Sequence, residues 1–425
     1  MAHIVVLGAG TGGMPAAYEL KDVLGKEHNI TVINDNDYFQ FVPSNPWVAV
    51  GWRKRKDITF PIGKYLNKKN INFIHATCNK IDATNSKLEL SNGQIVEYDY
   101  LVITTGPKLF FEELKGSGPE ANSHSICNVN HAEAFHDDYM KLLKKGSGTI
   151  VIGAAPFASC FAPAYEFAFI LDYDLRKRKV RDKFHIKFIS SEPYIGHLGL
   201  GGIGDSKGML ESDMRNHHIE WIVNAKTTKI EKGKVFVDEL TSTGDLAQSH
   251  EIEFDMAMIL PAFSGIDAVA QTKNLCNSRG FVLVDSYQRN LTYKNIYSAG
   301  VCIAIPPVEA TVVPTGAPKT GYMIESMVTA IVQNIKLELK GKKPKKEGTW
   351  SAVCFADMGD TGAAFVAIPQ IPPRNVAWFK KGKWVHFAKI SFEKYFIRKM
   401  KKGSSEPFYE KSMLKMIGIT RLKDE

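Results

Sequence analysis

His3-Ile4-Val5-Val6-Leu7-Gly8-Ala9-Gly10-Thr11-Gly12-Gly13 decides the fold. Five residues read as a buried parallel strand, and they run straight into a G-x-G-x-x-G turn. The spacing predicts a helix over Met14 to Leu24 and a second strand over Ile30 to Ile33, a βαβ dinucleotide-binding unit. Gly8 permits the tight turn, Gly10 lets the backbone approach a pyrophosphate, and Gly13 lets helix and strand pack closely. With Ala9, Thr11 and Gly12 they form a loop whose helix N-terminus offers unpaired N–H groups to phosphate. A ribose-binding acid belongs at the end of the second strand. Asn34 and Asp35 are the candidates, Asp35 lying 22 residues beyond Gly13.

Working outward, Tyr98-Asp99-Tyr100-Leu101-Val102-Ile103-Thr104-Thr105-Gly106 is a strand ending in a small-residue turn. Asn295-Ile296-Tyr297-Ser298-Ala299-Gly300-Val301 is another. In this order the two segments resemble the flavin motifs of the flavoprotein disulfide reductases. The resemblance implies that the first nucleotide site holds FAD. Thr105, Gly106, Gly300 and Val301 would then lie along it, and Thr77 and Cys78 would meet adenine by backbone. Val301 stands where those relatives carry Asp. Lys319, in the loop Pro314-Thr315-Gly316-Ala317-Pro318-Lys319-Thr320-Gly321, is placed to meet the flavin's pyrimidine end, with Gly321 beside it.

A second strand-to-glycine turn follows at Gly148-Thr149-Ile150-Val151-Ile152-Gly153, but its fingerprint continues as Ala155 and Ala158. A methyl at the second position obstructs a pyrophosphate. This domain is expected to keep the fold and to have lost tight NAD(P)H binding. Electrons must then reach the flavin another way. Cys160 lies just past the broken turn, near a helix N-terminus, where the dipole favours thiolate.

Six cysteines are scattered without C-x-x-C pairs, so no metal site is expected. Three lie in suggestive blocks: Ser125-Ile126-Cys127, Ser159-Cys160-Phe161 with Tyr165-Glu166, and Val353-Cys354-Phe355-Ala356-Asp357. With Tyr38 to Trp47 and Ser191 to His197, these blocks make the whole chain resemble the sulfide:quinone oxidoreductases. The resemblance implies hydrosulfide as donor and a membrane quinone as acceptor. It implies a disulfide or sulfur-bridged Cys160–Cys354 pair, with the persulfide on Cys160 and Cys354 as the thiolate that passes electrons to the flavin. Cys127 would assist sulfur release, and Glu166 would take or relay protons, with His131 and His197 as further relay candidates. Phe392 and Tyr409 resemble the family's aromatic quinone-pocket positions, with Lys389 as a donor to a quinone carbonyl, and Phe355, next to Cys354, is expected to face the flavin side where quinone docks. Cys78, Cys276 and Cys302 are expected to be structural thiols.

The chain of 425 residues carries a formal net charge of +9. From Val376 to Glu425, thirteen Lys/Arg stand against five Asp/Glu. Trp384 to Met400 reads as an amphipathic helix: Trp384, Val385, Ala388, Phe392, Tyr395 and Phe396 on one side, Glu393, Lys394, Arg398, Lys401 and Lys402 on the other. A second short apolar-basic segment spans Phe408 to Ile417. This is the pattern of a helix lying in a bilayer interface. With no apolar run long enough to span a bilayer, the expected attachment is peripheral and monotopic. With no leader apparent, the cytoplasmic face is expected. Nucleic acid is not an expected partner, and homo-oligomerisation stays open.

The expected architecture is α/β, with two tandem Rossmann-like domains. Residues 1–145 and 266–345 form the FAD-binding domain. Residues 146–265 form the degenerate second domain carrying Cys160, and 346–425 the quinone- and membrane-interaction region. Two other functions fit the superfamily. A type II NADH:quinone dehydrogenase needs an intact second fingerprint and no redox cysteines. The flavoprotein subunit of a flavocytochrome sulfide dehydrogenase needs an export signal and an early flavin-linking cysteine. A non-enzymatic scaffold would leave Cys160 and Cys354 without a role.

Overall fold

A computed structural model describes residues 1–405. Two parallel sheets organise it. The first has the order Ile296–Ser298, Tyr100–Ile103, His3–Leu7, Asn29–Asn34, Asn72–His75, with every neighbouring pair parallel. Its central strand is apolar and buried from Ile4 to Leu7 because both faces are covered. Leu7 pairs in register with Ile33 and with Ile103, so all three strands end at one level. The glycine turn, Asn34 and Thr104 therefore meet at the carboxyl edge, where open α/β sheets bind ligands.

The turn's glycines are needed for different reasons. A Cβ on Gly13 would lie 1.8 Å from the Gly8 carbonyl oxygen, so only glycine lets the helix Gly13–Leu24 sit on its strand. Gly8 takes φ +103°, and a side chain there would strike Thr104.

The second sheet has the order Ile219–Ile222, Phe184–Ser190, Gly148–Ala154, Met256–Leu260, again all parallel. The helix Ala162–Lys177 follows its first strand and is buried along most of its length. A three-stranded antiparallel sheet, Ala352–Asp357, Gly362–Ile368 and Val376–Lys381, leads into the helix Lys383–Lys402. Gly403, at φ +68°, ends that helix in the left-handed cap that glycine favours. The strand Ala352–Asp357 packs against both the 162–177 and the 383–402 helices. Tyr18, on the first helix, donates to the Met400 carbonyl at 3.0 Å and ties the last helix to the first nucleotide fold.

The 383–402 helix corrects the face read from its sequence. Its inward stripe is Val385, Lys389, Glu393, Phe396 and Met400, spaced by three and four residues. Glu393, expected outside, is buried: it accepts from Ser44 at 2.5 Å and pairs with Arg53 at 2.9 Å. Trp384, Phe387 and Phe392 stay 47%, 64% and 39% exposed. Among the described residues no helix is long and apolar enough to cross a membrane. Tyr409 and the 408–417 segment lie outside the described residues.

Candidate active site

Three chain segments bring the cysteines together. Cys127 ends a loop before the helix Val129–Lys145, whose cap Asn128 accepts from the His131 N–H. That cap sets His131 where its Nδ1 lies 2.8 Å from Ser125 Oγ, and Ser125 Oγ accepts from the Cys127 N–H at 3.3 Å. Cys160 precedes the 162–177 helix, and Cys354 lies on the 352–357 strand beside it. Cys127 stands near enough to Cys160, and Cys160 to Cys354, for a charge on the first to raise the pKa of the second. All three are free, half-buried thiols.

The expectation of an easily ionised Cys160 is overturned. Burial pushes its pKa up to about 12. The Ala162 N–H of the helix start pulls the other way but is outweighed, and Glu166, Cys127 and Glu192 add to the rise. Cys127 is pushed up to about 11 by burial. Cys354 is raised most, by burial, then by Cys160 and Glu166; Lys389 opposes them. Desolvation costs a buried anion more than one helix terminus returns.

Glu166, one turn into its helix, is fully enclosed and pushed up to about 7 by burial, against the opposing pull of Lys389. Its Oε1 accepts from Lys389 Nζ and from the Asp357 N–H at 3.2 Å. The structure therefore corrects the expectation for Lys389. Rather than reaching outward to a quinone carbonyl, it turns inward and pairs with Glu166 beside the cysteines. Sequence reasoning also missed Asp357. It accepts from Trp47 Nε1 at 2.7 Å and lies 2.8 Å from His386 Nδ1. Buried His197, held down by burial, lies 2.8 Å from exposed Glu309.

The first nucleotide turn fits FAD. Gly10 is exposed and a Cβ there would meet nothing within 4 Å; the same open space lies at Gly106 and at Gly321, which starts the helix Gly321–Leu339. Gly300 takes φ +91°. Lys319 is half-buried, donates to the Val301 carbonyl at 3.4 Å, and has its pKa lowered to about 8 by burial. At the strand end, Asn34 Oδ1 accepts from the Ala9 N–H at 2.8 Å, so Asn34 braces the turn while exposed Asp35 is left facing outward. Thr77 does not offer its backbone as expected: its N–H goes to Ser91 Oγ and its carbonyl to the Ser91 N–H. Cys78 turns its thiol into the core. The remaining residues of the turn, Thr11 and Gly12, lie beside Gly10.

The second turn is filled by the chain itself. Ala155 is 2% exposed, its methyl packed in a core cluster. Phe157, at φ +63°, donates its N–H to the Pro314 carbonyl at 2.8 Å, and the Gly316 N–H bonds the Ala158 carbonyl at 2.9 Å. Glu192 follows the strand Phe184–Ser190 by two residues, in the region where a ribose acid belongs. It is buried and instead accepts from Tyr165, from Ser190 and from the Leu198 N–H, and burial raises it to about 7.

Of the quinone-pocket candidates, Phe355 packs edge-on to Trp384 at 6.3 Å, whereas Phe392 packs against Phe41 at 5.8 Å. A surface cleft of about 1150 Å³ beside Arg181 and Trp221 includes none of the site residues.

Residues 2–333 match the family described as pyridine nucleotide-disulphide oxidoreductase. The chain is 42% identical over 416 residues to the sulfide-quinone reductase of Aquifex aeolicus, covering 97% of this chain and 94% of that one. The X-ray structure of the sulfide:quinone oxidoreductase of the same bacterium superposes with a TM-score of 0.93 over 98% of this chain and 95% of that one. A type II NADH:quinone oxidoreductase of Staphylococcus aureus is 30% identical over 165 residues, 36% of this chain and 40% of that one. The chain belongs to the sulfide-quinone reductase family, a branch of these FAD-binding oxidoreductases.

Proposed function

We propose that this member of the sulfide-quinone reductases oxidises hydrosulfide at the Cys160–Cys354 pair and passes two electrons, through FAD, to a membrane quinone. The convergence of Cys127, Cys160 and Cys354, next to the buried Glu166 carboxyl, carries this reading. In the oxidised pair, hydrosulfide attacks Cys160 Sγ, the S–S bond breaks, and Cys354 leaves as thiolate with Cys160 as persulfide. A second hydrosulfide removes the outer sulfur as hydrogen disulfide anion and leaves Cys160 as a thiol. Re-forming the S–S bond releases two electrons and one proton. Quinone takes the two electrons and two protons, so two hydrosulfides, one quinone and one proton give one hydrogen disulfide anion and one quinol. FAD in the first fold supplies the two-electron acceptor between the half-reactions.

The chain's own residues do the rest. Glu166 takes the proton released beside the cysteines, at a pKa near neutral that suits a base. Cys127, with Ser125 and His131, assists sulfur release. The turn Gly8–Gly13 receives the pyrophosphate and Asp35 the ribose. Thr105, Gly106, Gly300, Val301, Lys319 and Gly321 line the flavin's path. Phe355 and Phe392 line the approach of the quinone. Residues 1–145 and 266–345 make the FAD domain, 146–265 the cysteine-bearing second domain, and 346–425 the quinone- and membrane-facing region. Trp384, Phe387 and Phe392 are exposed on the 383–402 helix, as are Lys383, Lys394 and Arg398, and Val42 is 42% exposed. Such exposed apolar and basic side chains suit monotopic attachment to an anionic bilayer, here placed at the cytoplasmic face.

Anaerobic mixing of the flavin-loaded protein with sulfide should bleach the flavin absorbance, and a soluble quinone should restore it. Cys160→Ala and Cys354→Ala should each slow bleaching by roughly a thousandfold or more, as for loss of a nucleophile. Bleaching by NADH with indifference to sulfide would overturn the reading.

A further inference from the structure

Lys389 is a buried cation on the stripe that the 383–402 helix presses into the protein, and it is fenced on every side. Its Nζ bonds Glu166 and stands 5.4 Å from the centre of the Trp47 ring. The Arg53 guanidinium also lies over that ring, at 4.6 Å, and is itself paired with Glu393. Asp357 has its own donors, Trp47, the Gly359 N–H and His386. Among the described residues, Glu393 and Asp357 thus have partners of their own. The anions left to it are Glu166 and, on the strand packed between the two helices, Cys354.

We propose that Lys389 is the fixed counter-ion of the redox pair, serving the Glu166 carboxylate and the Cys354 thiolate in alternation. The exchange needs one proton and no other change of bonding. When Cys354 is a thiol, Glu166 is the carboxylate paired with Lys389. When the Cys354 Sγ–H proton passes to the Glu166 carboxylate, Lys389 faces the thiolate and Glu166 is neutral. The enclosed net charge is the same in both arrangements. That matters because a second uncompensated charge in a desolvated site costs far more than moving a proton within it. Burial and the neighbouring Cys160 and Glu166 all raise Cys354, and Lys389 is the group that opposes them. Lys389 is thus a positioning residue that decides when Cys354 becomes the thiolate.

The inference rests on the reading of Cys160 and Cys354 as the reacting pair, but its test needs neither sulfide nor quinone. The reduced, flavin-loaded protein is treated anaerobically with iodoacetamide between pH 6 and 10. Alkylation of Cys354 is followed by mass spectrometry, with Cys127 as internal reference. Lys389→Met should lower Cys354 alkylation at pH 8 roughly tenfold, the change of about one pKa unit expected for loss of a neighbouring cation. Lys389→Arg should restore most of it. Glu166→Gln removes the competing anion and should act oppositely, raising Cys354 alkylation several-fold. Because the two variants break the same ion pair, a merely structural role would move Cys354 in the same direction in both. Unchanged Cys354 profiles, or shifts of the same sign, would overturn the proposal. If Lys389→Met fails to retain flavin, the sign of the Glu166→Gln shift decides.

Discussion

The two nucleotide folds of this chain share one plan and have opposite interiors. Each is a parallel strand running into a small-residue turn and then a helix. In the first, the middle position of the turn is Gly10, exposed and facing open space. In the second, the same position is Ala155, sealed into a hydrophobic cluster. At the end of the neighbouring strand the first fold leaves Asp35 outside, while the second draws Glu192 inside among Tyr165, Ser190 and Leu198. The difference teaches that a βαβ unit has two uses. It can present its turn to a ligand, or it can close the turn and use the helix after it to hold a reactive side chain. Cys160 and Glu166 exist where they do because the second unit took the latter course.

Gly10→Val would break this contrast most severely. A branched side chain would stand where the pyrophosphate must approach, in space that the protein itself leaves open. The chain should fold, and bound flavin, read from its visible absorbance, should fall at least roughly a hundredfold in affinity, about 2.7 kcal/mol. Full flavin content in this variant would remove the basis for assigning the first turn.

A smaller effect concerns Glu192. Its folded-state pKa lies above the ordinary carboxylate value, so its contribution to stability is complete below about pH 4.5 and is lost as pH rises through about 7. Wild-type melting temperature should fall between pH 5 and 8. Glu192→Gln should flatten that fall by roughly 2 °C, whatever its absolute offset. An unchanged slope would mean that the second fold's ribose position is less enclosed than its hydrogen bonds require.

The least movement is expected from Ala155→Gly with Ala158→Gly. Restoring the fingerprint does not evict the Pro314–Gly316 loop or free Glu192, so anaerobic NADH should still leave the flavin oxidised. Reduction by NADH would show that the methyl groups alone closed the site.

Much of this was legible in the sequence, for definable reasons. The strand His3–Leu7 and its turn could be read because apolar continuity and glycine spacing are local properties. The loss at Ala155 was equally local. Three errors share a different cause. The Cys160 ionisation was judged from its position near a helix start, but burial is set by residues far away in the chain. Glu393 was placed outward because charge usually marks the wet side of a helix, and Lys389 was given to the quinone by resemblance. Yet they fall in line with Val385 and Phe396, and that alignment was the available signal. Thr77 looked free because its partner Ser91 sits on a distant hairpin. Each error concerns a polar group whose partner is contributed by another element.

The inward face of the 383–402 helix also has a consequence for how the protein is made. During synthesis the ribosome delivers the flavin turn and Cys160 well before it delivers Cys354, and Lys389 emerges later still. A nascent or prematurely stopped chain can hold the first nucleotide turn, Cys127 and Cys160 without owning Cys354 or the cation beside it. The Cys160–Cys354 pair and its cation are thus complete only once the last helix docks onto the Tyr18 hydroxyl, and translation itself orders their appearance.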